Sequence, residues 1–121
     1  MYEPVDFDLY RQGASSAFGK SVSPYFRLDA AKVIVSLDCD FLGSEQEACR
    51  YIRDFARGRR LTKPTDSMNR LYAVESLFTL TGASADHRLR LPSSQVFKVA
   101  AQLASKVLAG VGTGAAPGDV S

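Results

Sequence analysis

Lys32-Val-Ile-Val-Ser-Leu-Asp-Cys-Asp40 is the stretch on which the fold turns. Val33 to Leu37 is strand-forming and apolar on both faces apart from Ser36, and it runs straight into two acids spaced two residues apart. Strands of that kind lie buried between two helical layers of a parallel sheet. Arg70-Leu-Tyr-Ala-Val-Glu-Ser76 repeats the pattern: a short apolar run that ends in an acid and a small polar residue. In open α/β sheets, ligands collect just beyond the carboxyl ends of the strands. The two loops that follow these runs therefore mark where a site would sit.

Working outward, Ser44-Glu-Gln-Glu47 has the spacing of a capping box, and a helix to about Arg57 is expected behind it. Its inward stripe would be Ala48, Tyr51, Ile52, Phe55 and Ala56, with Gly58 as the stop. Upstream, Phe7, Tyr10, Ala14, Ala17 and Phe18 recur at helical spacing and predict a helix over 6–18 ended by Gly19. Residues 24–28 read as a short extended segment. Downstream of the first helix–strand pair, 59–69 is a polar connection and 76–85 a loop rich in Thr, Ser and Gly. Residues 87–91 alternate polar and apolar, as a short edge strand does. Pro92-Ser-Ser94 opens a last helix whose buried face would hold Val96, Phe97, Val99, Ala100, Leu103, Ala104, Val107 and Leu108.

From Gly110 the composition turns to Gly, Ala, Pro and Ser, so a disordered tail is expected over 110–121 behind an α/β segment over 1–109. The fold class is α/β, a partial parallel sheet with flanking helices, built on a right-handed strand–helix–strand crossover. A strand apolar on both faces needs cover on both, and the chain has few elements to supply it. The segment is therefore expected to pack against more protein.

Composition sets the outer bounds. At 121 residues, 45% hydrophobic and 23% charged, the chain suits one domain with one modest core. A formal net charge of +2 is too small to demand nucleic acid or an acidic membrane. No apolar run approaches a membrane span, and Met-Tyr-Glu-Pro-Val-Asp does not resemble an export signal. Cys39, Cys49 and the single His87 are too few for a structural zinc site, and two thiols cannot hold a [4Fe–4S] cluster alone. They read as ordinary small thiols.

Several groups are candidates for chemistry. Asp38 and Asp40 have the spacing to take a ribose hydroxyl or a divalent ion, but no glycine-rich phosphate loop stands near them, and loop acids with no ligand fit the same pattern better. Thr79, Thr81, Gly82 and Ser84 offer hydroxyls and amides to a phosphate or sugar; equally, they satisfy a structured loop's own backbone. Asp86-His87 is where a histidine base would be built, and a surface hydrogen-bonded pair is the plainer reading. Arg50, Arg53, Arg57, Arg59, Arg60 and Lys63 form a basic cluster. Glutamates open that helix and arginines close it, as the helix dipole favours, so a solvated or partner-facing helix end is preferred over RNA binding.

Taken together, Ala30-Ala31-Lys32-Val-Ile-Val-Ser-Leu-Asp-Cys-Asp-Phe-Leu-Gly43, Met68-Asn-Arg-Leu-Tyr-Ala-Val-Glu-Ser76 and Leu80-Thr-Gly-Ala-Ser-Ala-Asp-His-Arg-Leu-Arg-Leu91 resemble the molybdopterin oxidoreductase family. More narrowly, they resemble the large iron–sulfur subunits of bacterial alternative complex III, the Tat-variant-translocated type. The resemblance spans about residues 2–108 and marks the chain as an internal piece of a longer subunit. It implies a place in a membrane-associated respiratory complex that oxidises quinol, on the periplasmic side of the inner membrane. It also implies [4Fe–4S] clusters elsewhere in the full subunit, other regions or subunits of the complex as partners, and neither nucleic-acid binding nor membrane insertion by this segment.

The cofactor loops depart from the family pattern. Where cofactor-bearing relatives have Gly-x-Asn-Pro, Asp-Pro-Arg and Pro-Gly-Thr-Asp, this chain has Asp38-Cys39-Asp40-Phe41, Glu75-Ser76-Leu77 and Pro92-Ser93-Ser94-Gln95. The resemblance therefore implies a scaffold without a molybdenum cofactor, Asp38, Asp40, Ser44, Glu75, Thr81 and Gly82 being the vestigial cofactor-binding positions. The alternatives are a working molybdopterin guanine dinucleotide module on those residues, or a stand-alone flavodoxin-like binding domain.

Overall fold

The computed structural model describes residues 8–111. Its element order is α1 (Asp8–Phe18), β1 (Val33–Leu37), α2 (Ala48–Gly58), β2 (Arg70–Glu75), α3 (Leu80–Ala83), β3 (His87–Arg90) and α4 (Ser93–Val111). The three strands form one parallel sheet in the order β1-β2-β3. Val33 pairs with Arg70 and Leu37 with Val74; Tyr72 pairs with His87 and Glu75 with Arg90. The expected α/β class, with a partial parallel sheet and flanking helices, is what the chain adopts.

Parallel pairing with a period of two sorts the side chains into two faces. One face carries Ile34, Ser36, Leu71, Ala73 and Glu75, all buried. The core lies against it: Ile34 and Leu71 cluster with Leu28, Phe41, Leu42, Tyr51 and Phe55. Phe41 meets Tyr51 and Phe55 edge-on, at ring separations of 6.4 and 6.0 Å. Leu71 is 0% exposed and stands at the centre of this layer.

The opposite face departs from expectation. Val33 is 61% exposed and Val35 41%, and Leu89 on β3 is bare as well. α4 touches β2 through its first turns and buries Val96, but Phe97, Leu103 and Val107 remain exposed. The broad inward face expected of this helix is therefore mostly uncovered. The helix also extends through Gly110 to Val111; the rest of the expected tail lies outside the described residues.

Other corrections are local. In α1 the buried residue is Ala14, while Tyr10 and Phe18 are exposed; Phe7 and the first residues of the expected helix lie outside the described residues. The capping box does not form. The amides of Gly43 and Ser44, at 3.0 Å, and of Glu45, at 3.3 Å, donate to the Asp40 carbonyl, and α2 starts at Ala48 with no side-chain cap. Its inward side holds Tyr51, Asp54 and Phe55 rather than Ile52 and Ala56. The expected loop 76–85 contains α3, capped by Thr79, whose Oγ1 accepts from the Gly82 amide at 3.1 Å.

Candidate functional site

The carboxyl ends of β1 and β2 and the start of α4 meet at one edge of the sheet, as the strand pattern predicts. Asp38 closes β1 in the left-handed backbone region, at φ 50°, which Asp tolerates better than most residues. That turn lets its carboxylate cross to β2 and α4. Oδ1 accepts from the Ser76 amide and hydroxyl, both at 3.1 Å, and Oδ2 accepts from the Ser93 hydroxyl at 2.6 Å. The two serine hydroxyl oxygens lie 2.9 Å apart, side by side on this carboxylate. These donors, Ser93 foremost, hold the Asp38 carboxyl below the ordinary carboxylate range.

Asp40 reaches a different element. Its Oδ1 accepts from the Thr81 amide at 3.0 Å and hydroxyl at 2.8 Å. Thr81 is 0% exposed, and its Oγ1 in turn accepts from the Leu42 amide at 3.0 Å. Glu75, 3% exposed, accepts from Thr79 Oγ1 and Arg88 Nε, each at 2.6 Å, and from the Thr79 amide at 3.4 Å. Burial alone would raise the Glu75 carboxyl; the Thr79 and Arg88 donors outweigh it, and the net direction is down. Gly82 lies directly over this carboxylate, so any Cβ there would collide with Glu75 Oε1.

Five of the six candidate cofactor residues are thus gathered at the strand tips: Asp38, Asp40, Glu75, Thr81 and Gly82. Ser44 is not; it is exposed in the β1–α2 loop and makes none of these contacts. The sequence reading missed Ser76, Ser93, Thr79 and Arg88 as the groups that bind these acids. The chemical consequence is direct. Amides and hydroxyls that a phosphate would need are already donated to protein carboxylates, and the three acids would repel a pyrophosphate. No group of three His, Cys, Asp or Glu among the described residues could hold a metal ion.

The remaining candidates are used within the fold. Asp86 accepts from Arg59 Nη2 at 2.5 Å and from the Leu71 amide at 2.7 Å, and Arg59 foremost holds its carboxyl low. His87 stacks on Tyr72 with ring centroids 4.8 Å apart. The basic cluster is also partly absorbed. Arg50 covers the Tyr25 ring at 3.7 Å, and Arg57 pairs with buried Asp54 at 3.6 Å, to which Tyr25 donates its hydroxyl proton.

A cavity of about 660 Å³ lies between α1, residues 21–26 and the β1–α2 loop. Tyr10, Phe26, Phe41, Tyr51, Cys39 and Glu45 are among its lining residues. Burial, with Glu45 beside it, pushes the Cys39 thiol up to about 12, so Cys39 is a poor nucleophile. No protein-family model and no curated protein matches this chain.

Proposed function

We propose that this chain is a scaffold segment of a molybdopterin oxidoreductase-like iron–sulfur subunit in a respiratory quinol-oxidising complex, without a redox centre of its own. The observation that carries this reading is the sealing of the strand tips. Asp38, Asp40 and Glu75 stand at the carboxyl ends of the strands, and each accepts hydrogen bonds from Ser76, Ser93, Thr81, Thr79 or Arg88. A loop that has traded phosphate-binding amides for internal carboxylates favours rigidity over ligand exchange. The bare apolar face of β1, β3 and α4 supports the second half of the reading, in which other regions or subunits of the complex cover it.

No described helix is long and apolar enough to cross a membrane. In this reading, attachment at the periplasmic side of the inner membrane runs through the partners. The test is metal and pterin analysis of the protein purified from molybdenum-replete cells, together with cross-linking in native membranes. The expected result is no stoichiometric molybdenum or pterin, and cross-links to a cysteine-rich iron–sulfur region. Stoichiometric molybdopterin guanine dinucleotide would establish the cofactor-binding alternative instead.

A further inference from the structure

The two edges of the sheet are not equivalent. At the β1–β2 seam, the Arg70 amide donates to the Lys32 carbonyl at 2.9 Å and the Asp38 amide to the Val74 carbonyl at 2.7 Å. In a parallel ladder this register commits the even residues of β1 to β2, so the amides and carbonyls of Val33, Val35 and Leu37 point outward along the free edge. That edge is Val-Ile-Val-Ser-Leu: it has no charge, no proline and no strand paired to it among the described residues. Natural sheets block such edges with charge. β3, at the other side, does so with Arg88 and Arg90. β1 does not.

We propose that the β1 edge pairs antiparallel with β1 of a second copy of this chain, joining two three-stranded sheets into one of six. Charge selects this occupant. The basic residues Lys32 and Arg70 lie at the amino end of the sheet, and Asp38 and Asp40 at the carboxyl end. Two-fold antiparallel pairing with Val35 on the axis sets Val33 against Leu37 and lays the basic end of one sheet, with Lys32 and Arg70, beside the acidic end of the other, with Asp38 and Asp40. A parallel arrangement would stack like charges instead. The outward groups of Val33, Val35 and Leu37 then form the closely bonded pairs of an antiparallel ladder, and the arginines of β3 stop further growth. This inference stands independently of the electron-transfer reading, because it uses the edge of the sheet and leaves the bare face free for other partners.

Sedimentation over a concentration series reads the association as a rise in mass toward two chains. Val35→Pro removes an amide that faces away from β2, so it spares the existing ladder and holds the mass at one chain. If that variant fails to fold, cysteine scanning in a Cys39→Ser/Cys49→Ser background decides. Across the axis the Cα atoms of residue 35 would be about 5.5 Å apart, within disulfide reach. Val35→Cys then forms an intermolecular disulfide on mild oxidation, whereas Val33→Cys, facing Leu37, does not. A wild-type chain that stays monomeric at high concentration overturns the proposal. Open-ended growth, or equal cross-linking at 33 and 35, overturns it as well.

Discussion

Glu75 sits 3% exposed at the tip of the central strand, where an unneutralised carboxylate would cost several kcal/mol. Arg88, one strand over, supplies the charge through a 2.6 Å contact. Arg88→Met should therefore cost about 3 kcal/mol of stability, read from urea unfolding. Its pH dependence has a definite sign. Without the cation the folded-state pKa of Glu75 rises from its depressed wild-type position, so the loss should be larger at pH 7 than at pH 3. The wild-type chain follows the same logic. Asp38, Glu75 and Asp86 are all held below their ordinary values. Their contribution is present above the unfolded carboxylate range and is lost as pH falls through the folded values, below about pH 4. A urea midpoint unchanged between pH 6 and pH 3 would contradict this. Sequence alone singled out Asp38, Asp40, Glu75, Thr81 and Gly82, because acids and small residues at strand ends are locally visible. It could not show that Ser93, 55 residues from Asp38, answers that acid, since such a pairing exists only once the sheet has formed.

Strands were legible at the level of elements because β1 and β2 are apolar runs cut off by acids, and β3 alternates. Helices were less so. α3 has four residues, too short for any periodicity, and Thr79 shows itself as its N-cap only in the folded chain. The capping box at Ser44 was a false signal. The Asp40 carbonyl takes the amides of Gly43, Ser44 and Glu45, and the chain makes another turn before α2 begins. These two helix starts make a paired prediction. Thr79→Ala removes a real cap and a hydrogen bond to Glu75, and should cost about 1–2 kcal/mol. Ser44→Ala should cost less than about 0.5 kcal/mol, as exposed substitutions away from caps do. Equal losses in denaturant unfolding would restore the capping box.

For the molecule as a whole, one face of the sheet is covered, and the other is covered only in part, at Val74 and Val96. Asp54, buried with Tyr25 and Arg57 beside it, shows how α2 turned its polar residue inward while Ile52 stayed out. A hydrophobicity pattern cannot anticipate that rotation, because an aromatic hydroxyl 29 residues away supplies the partner. The apolar face of α4 is visible in the sequence and its lack of cover is not: periodicity reports which residues seek burial, not whether this chain provides the cover. Phe97→Gln with Val107→Gln should thus leave stability within about 0.5 kcal/mol while lowering binding of an apolar dye. A large loss of stability would mean that α4 is packed in the isolated chain.

The central claim is that the strand tips are closed by the protein's own acids. Its most direct test is a titration of the chain with guanosine diphosphate and Mg²⁺, followed by amide NMR. The account predicts no saturable shift at the amides of Ser76, Thr81, Gly82 and Ser93. Saturable shifts confined to those amides would contradict it.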